Sequence, residues 1–122
     1  MDAILLSIKP EYVKNIFKGV KLYEYRRRIP KKNIAKIIVY STYPVMKVIG
    51  EVEVINLISG TPNYVWEVTK NNSGISKEKY QRYFEGCEKA YAHKLGKTTL
   101  YEEPKPLSDF GITNAPQSFI YI

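Results

Sequence analysis

The residues most able to do chemistry lie in the segment 19–28, with the sequence GVKLYEYRRR. Apolar and aromatic residues between the charges predict a β-strand, whose alternate side chains point to opposite faces. Glu24, Arg26 and Arg28 therefore share one face with Leu22. Because a guanidinium offers a rigid fork of donors to phosphate or carboxylate, the pattern favours a pocket for an anionic or hydrogen-bonding ligand. The alternative is a solvated edge strand whose charges neutralise each other.

Three further cations accompany this strand. Lys9 follows the first apolar run, directly before the first predicted helix, and its side chain can reach the opening of the same pocket. Lys21 is out of register with the acidic residue, so it joins the site only if the chain bends at Gly19, which a glycine permits. Arg27 belongs to the basic tract 26–32. We interpret this tract as a phosphate-facing surface, with a solvated loop as the alternative.

Neutral side chains at strand ends provide a second tier of candidates. Ser41, Gln117 and Ser118 could hydrogen-bond the edge of a base. Each also has an ordinary explanation, since serines commonly cap turns and the glutamine could satisfy backbone groups. Tyr23 and Tyr25 lie on the face opposite the acid and are interpreted as core residues rather than as platforms for stacked bases.

Cysteine and histidine are too few to build a metal site. The chain has one of each, Cys87 and His93. This excludes an intrachain disulfide, a cysteine-based zinc site and a histidine cluster. A metal site would then need carboxylates alone, and no D-x-D or similar grouping is present, so we expect no metal and no cofactor. Cys87 is interpreted as an inert thiol and His93 as structural, because no nucleophile can be assigned to it.

The net charge of +7 and the pI near 9.4 favour an anionic partner. Basic residues of the second half, among them Lys79 and Arg82, are expected to add a diffuse phosphate-attracting field. The apolar runs are far shorter than the roughly 20 residues that a membrane span requires, and no signal peptide is apparent. We expect one globular domain over residues 1–122, located in the cytoplasm and without membrane contact.

Periodicity and turn residues predict about six strands and three helices. The predicted strands are 3–8, 21–28, 35–43, 45–58, a pair of pieces at 89–94 and 98–101, and 118–122. The predicted helices are 11–18, 63–70 and a segment from 76 to 86, and an extended linker is expected at 102–106. Since helices do not regularly separate the strands, the order favours an α+β fold: a mostly antiparallel barrel with helices outside.

Three signatures together resemble the ASCH domain family of the PUA-like superfamily. They are Leu6-Ser7-Ile8-Lys9-Pro10-Glu11-Tyr12, then Gly19-x-Lys21-x-x-Glu24-x-Arg26, and finally Pro116-Gln117-Ser118-Phe119. The resemblance implies a five- or six-stranded pseudo-barrel with a cleft beside the first helix. It also implies an RNA-interacting module linked to transcription or translation. Some members resemble ribonucleases, and smaller ones are amidohydrolases acting on N4-acetylcytidine.

The amidohydrolase pattern is only partly present. Its lysine corresponds to Lys21, but its catalytic threonine is replaced here by Glu24. Our first hypothesis is therefore an RNA- or nucleotide-binding module that uses Lys9, Lys21, Glu24 and Arg26. The alternative is an enzyme acting on RNA or modified nucleosides, a ribonuclease or an amidohydrolase. Lys21 would then be a base or an electrostatic stabiliser and Glu24 a general acid or base. The sequence leaves protein partners open.

Overall fold

The computed structural model describes residues 2–122 and contains one curled, six-stranded sheet with three α-helices. The strands are β1 (Asp2–Ile8), β2 (Tyr23–Arg26), β3 (Ile34–Ser41), β4 (Lys47–Gly60), β5 (Ala90–Lys105) and β6 (Phe119–Tyr121). The helices are α1 (Pro10–Lys18), α2 (Pro62–Thr69) and α3 (Lys77–Tyr83). Short 3₁₀ turns cover Lys70–Asn72 and Leu107–Phe110.

The strand order in the sheet is β2-β5-β4-β3-β1-β6. β1 and β3 run parallel, and the other pairs are antiparallel. The sheet curls into a half-barrel whose edges are β2 and β6. The predicted α+β class and six-stranded, mostly antiparallel pseudo-barrel are confirmed.

Both faces of β1 and β3 are largely buried, which explains their nearly continuous apolar sequences. Ile4, Leu6 and Ile8 of β1 pack in the same cluster as Val13 and Ile16 of α1. The alternate residue of β1, Leu5, packs on the opposite face in a second cluster. A third cluster lies under α2 and α3; its buried members are Tyr25, Val65, Tyr80, Phe84, Ala90 and Ala92.

The helix ends follow the capping signals in the sequence. Gly19 ends α1 in the left-handed conformation, at φ 81°. The Thr61 side chain accepts a hydrogen bond from the Tyr64 amide, and Ser76 accepts one from Lys79, as N-cap residues do. These caps fix where α2 and α3 begin, and so they position the face of α3 that borders the site.

Two strand predictions were wrong in extent. The strand predicted at 21–28 is confined to Tyr23–Arg26. The amides of Val20 and Lys21 instead donate to the Asn15 carbonyl at the end of α1. The two pieces predicted at 89–94 and 98–101, with the linker after them, form one strand, β5. β5 (16 residues) pairs with the 14-residue β4 through irregularities in register, so the glycine at 96 does not interrupt it.

Within residues 2–122, no helix combines the length and the apolar character needed to cross a membrane.

Candidate functional site

A cavity of about 550 Å³ opens between the start of α1, the edge strand β2 and α3. Its polar lining comes from five separate parts of the chain, brought together by the fold. The lining residues are Ser7, Ile8, Lys9, Tyr12, Lys21, Glu24, Tyr25, Arg26, Arg27, Ile75, Lys79, Arg82 and Tyr83. The volume lies within the range of about 300–1,000 Å³ common for small-ligand pockets.

Lys21 enters this cavity because the chain bends before β2. The bend follows Gly19 and is held by backbone hydrogen bonds to Asn15, while the Leu22 amide donates to the Asn72 carbonyl. The expected bend is therefore present, and it brings Lys21 to the same cavity as Glu24 despite their opposite strand parity.

The Lys21 ammonium is held in an almost fully enclosed position. Its side chain is 2% exposed, and Nζ donates a 2.8 Å hydrogen bond to the Ser73 carbonyl. Nζ also lies 5.1 Å from the ring centre of Tyr12 and 4.9 Å from that of Tyr25, both cation–π distances. Burial lowers the pKa of Lys21 from its ordinary value, and the nearby Glu24 carboxylate opposes this shift. The amine is therefore a better proton donor than a solvated lysine.

Glu24 and Arg26 form an ion pair at the floor of the cavity. Glu24 is 6% exposed, and its Oε2 accepts from Arg26 Nε at 3.1 Å and lies 3.0 Å from Arg26 Nη2. The same Nη2 donates to the Ser7 carbonyl of β1 at 2.9 Å. Arg26 thus bridges from the sheet edge at β2 to β1, and one carboxylate oxygen remains outside these bonds.

Four exposed or partly exposed cations surround the opening. Lys9 is the N-cap residue of α1, Arg27 directly follows β2, and Lys79 and Arg82 belong to α3. Arg27 stacks over the Tyr83 ring at 4.7 Å, and Lys79 pairs with Glu11 at 3.3 Å. This distribution creates a positive mouth above the buried acid and amine.

Comparison with solved structures identifies the family. A crystal structure of a single-residue variant of ASCH from Zymomonas mobilis superposes with a TM-score of 0.91. Its sequence is 31% identical, and the match covers all of this chain and 91% of that chain. The chain belongs to the ASCH domain family. ASCH from Zymomonas mobilis itself gives a TM-score of 0.90 at 32% identity, over 98% of this chain and 87% of that one.

Two curated relatives of this ASCH domain are longer than the chain. An ASCH domain-containing ribonuclease from Zymomonas mobilis is 39% identical over 92 residues, covering 75% of this chain and 62% of that protein. A protein named large ribosomal subunit protein uL22, from Ureaplasma parvum, is 30% identical over 122 residues. That match covers 99% of this chain and 39% of the uL22 protein. No protein-family model matches the sequence.

The ASCH cavity contains five of the eight candidate residues chosen from the sequence: Lys9, Lys21, Glu24, Arg26 and Arg27. The other three are not among the residues that line it. Ser41 is buried at the end of β3 beside Ile8. Gln117 and Ser118 are exposed, one and two residues after Pro116, whose carbonyl accepts a 2.8 Å hydrogen bond from the Ser7 hydroxyl.

Sequence reasoning missed the contribution of α3 and of Tyr12. The sequence predicts only a diffuse phosphate-attracting field for Lys79 and Arg82, yet both line the cavity. Their spacing of three residues, which places them on one helix face, was the available signal. Tyr25 packs at 5.0 Å from Tyr80 and donates to Thr69 Oγ1 at 2.7 Å, as expected for a core tyrosine. Among residues 2–122, no group of three or more His, Cys, Asp or Glu could hold a metal ion.

Proposed function

We propose that this ASCH domain binds single-stranded RNA in the cavity and cleaves it there by side-chain acid–base chemistry. The observation that carries the proposal is the placement of a buried amine and a buried carboxylate, Lys21 and Glu24, beneath a ring of cations. The name of its 39% identical relative, a ribonuclease, supports the same substrate class. The cavity size favours one unstacked nucleotide with its phosphate.

The binding step is assigned to the cations at the mouth. Lys9, Arg27, Lys79 and Arg82 neutralise the phosphates on either side of the bound nucleotide. Tyr12 and Tyr83 present partly exposed rings on which a base can stack. Arg26 is the cation that can reach the scissile phosphate, because its guanidinium lies at the floor beside the acid.

The chemical step is assigned to Glu24 and Lys21. Glu24 accepts the proton of the ribose 2′-hydroxyl, whose oxygen forms a bond to phosphorus. The bond from phosphorus to the 5′-oxygen breaks, and that oxygen takes a proton from the Lys21 ammonium. The products are a 2′,3′-cyclic phosphate and a 5′-hydroxyl. The lowered pKa of Lys21 suits the donor role, since a weaker hold on the proton eases its transfer.

A cleavage assay tests this proposal. A short, 5′-labelled single-stranded RNA and the DNA of the same sequence are incubated with the wild type, Lys21→Met and Glu24→Gln. We expect cleavage of RNA alone, and a loss of about 100- to 10,000-fold in either variant. Lys97→Met and Glu103→Gln change exposed residues of β5 that do not line the cavity, and both should cleave like the wild type.

The same assay separates the alternatives. Tight RNA binding without cleavage would show that the protein is a binding module, and it would refute the roles of Glu24 as base and Lys21 as acid. N4-acetylcytidine is included as a second substrate, and release of acetate without RNA cleavage would indicate an amidohydrolase instead. The ion pair of Glu24 with Arg26 argues against that outcome, because a paired carboxylate stands where the resemblance places a threonine nucleophile.

A further inference from the structure

A buried histidine has no role in the proposed function. His93, the single histidine of the chain, lies on β5 and is 3% exposed. Both ring nitrogens are shielded from solvent, and neither has a hydrogen-bond partner. Leaving a buried polar group unpaired costs about 1–3 kcal/mol. A position that tolerates this cost for an imidazole is a candidate for a role outside stability.

His93 faces Glu24 across the sheet. The two residues are direct partners in the antiparallel pairing of β2 with β5, so their side chains lie on the same face. Cβ atoms of such partners are about 4.5–5.5 Å apart, a separation that lets an imidazole reach a carboxylate. Burial lowers the pKa of His93, while the Glu24 carboxylate opposes this shift and Arg26 adds to it. The neutral ring carries one N–H donor.

A second cavity, of about 350 Å³, also touches His93 on the side of the 29–34 loop and β4. Lys31 and Lys32 line it together with Asn33 and Asn56. The ring nitrogens of His93 are nevertheless covered, so a ligand in this cavity would not reach them without a rearrangement. Glu24 is therefore a better candidate than such a ligand for the hydrogen-bond partner of the imidazole.

We propose that His93 is a positioning residue for Glu24, and that its N–H replaces Arg26 as the hydrogen-bond donor to the carboxylate when Arg26 turns to an RNA phosphate. Only the RNA-dependent part of this inference, in which Arg26 turns to a phosphate, rests on the proposed function. In the free protein both Arg26 contacts to Glu24 end on the same oxygen, Oε2. Losing Arg26 to a substrate would free a buried carboxylate, and His93 is the donor placed to hold it.

The single histidine makes a direct test possible. Protein labelled with ¹⁵N at histidine gives imidazole resonances from His93 alone. In the Arg26→Met variant without RNA, we expect one imidazole N–H to become hydrogen-bonded, with a downfield proton shift and slowed exchange. Adding Glu24→Gln to that variant should reduce the shift, because the charged acceptor is lost. Unchanged His93 resonances in Arg26→Met would overturn the inference.

The RNA-dependent half is tested with an RNA that carries 2′-O-methyl groups and so cannot be cleaved. Binding of this RNA to the wild type should produce the same His93 shift as Arg26→Met. If Arg26→Met gives the shift but no RNA binds, the proposed function fails while the His93–Glu24 link stands. If RNA binds, as shown by amide shifts at Lys9 and Arg82 in a second, uniformly ¹⁵N-labelled sample, and the His93 resonances stay fixed, the exchange is refuted.

The values of kcat and KM in His93 variants distinguish a positioning role from a purely structural one. His93→Gln keeps an N–H donor, whereas His93→Leu removes it at similar size. We expect kcat to fall about 10- to 100-fold in His93→Leu with little change in KM, a loss of the size known for hydrogen-bond partners that orient metal ligands. His93→Gln should recover most of the loss. Equal kcat in the two variants would contradict the positioning role.

Discussion

Gly74 lies directly against Lys21: a Cβ atom added to Gly74 would be 2.4 Å from the Cβ of Lys21. The adjacent Ser73 carbonyl accepts the hydrogen bond from the Lys21 ammonium. Gly74 also has a φ of +65°, in the left-handed region that favours glycine. The loop after α2 therefore both encloses the amine and fixes its direction, and a side chain at 74 would displace it.

The first prediction concerns this contact. Gly74→Ala should destabilise the protein by about 1–3 kcal/mol, since it adds both backbone strain and overlap with Lys21. Gly86→Ala is the matched control, because Gly86 has a similar φ of +79° with no atom within 4 Å of the added Cβ. Urea unfolding should show a larger loss for Gly74→Ala, and RNA cleavage should fall only in that variant. Equal losses of stability would show that the overlap is relieved without cost.

The second prediction concerns the pH dependence of stability. The folded pKa of Lys21 is lowered from 10.5, so between that lowered pKa and 10.5 the unfolded chain holds a proton that the folded chain lacks. Stability from this group must therefore rise with pH across that interval. Lys21→Met removes the contribution.

The measurement is the free energy of unfolding of the wild type and Lys21→Met in urea, at pH values from 7 to 10. The wild type should gain stability relative to the variant as the pH rises. A difference that stays constant over this range would mean that the buried amine keeps an ordinary pKa.

Much of the site was predictable from local sequence. The alternation of Glu24 with Arg26 places both on one face of any strand, whatever its neighbours. Gly19, a helix-ending glycine, indicated the bend that brings Lys21 to them. The positions of these side chains could be predicted because each depends on residues within a few positions of one another.

The remaining parts of the site depend on contacts between distant segments. Ser73 contributes a backbone carbonyl, a group that every residue possesses, so no residue type marks it. Tyr80 packs against Tyr25 and so fixes the rotation of α3 about its axis. This rotation directs Arg82 to the cavity. The continuity of β5 depends likewise on pairing with β4 across its irregular register. Such information resides in the pairing of segments and not in either segment alone.

The third prediction concerns the salt dependence of RNA binding. Arg82 is exposed on α3 and lines the cavity, so it should contact a phosphate of bound RNA. Arg82→Ala should weaken binding and reduce the slope of log Kd against log salt concentration by about 0.7, the value for one contact with a single strand. Lys97→Ala, an exposed cation of β5 outside the cavity, is the control. The same slope in Arg82→Ala and the wild type would remove α3 from the RNA interface.

The fourth prediction concerns unfolding in alkali. Tyr80 is 2% exposed, and its hydroxyl donates a 2.8 Å hydrogen bond to the Pro62 carbonyl. Burial raises the pKa of Tyr80 to about 12, from an ordinary value of 10.0. Between these values the unfolded chain releases a proton that the folded chain retains, so stability must fall as the pH rises through this range.

Tyr80→Phe isolates that contribution. At pH 8 the variant should be less stable by about 1 kcal/mol, because the hydrogen bond to Pro62 is lost. Above pH 10 the deficit should shrink, since phenylalanine has no proton to release on unfolding. Urea unfolding at pH 8 and pH 11 measures both values, with Tyr64→Phe at an exposed position of α2 as the matched control. A deficit that is the same at both pH values would show that the Tyr80 hydroxyl ionises as readily in the folded protein as in the unfolded chain. The hydrogen bond from Tyr80 of α3 to Pro62 of α2 would then make no contribution to the loss of stability in alkali.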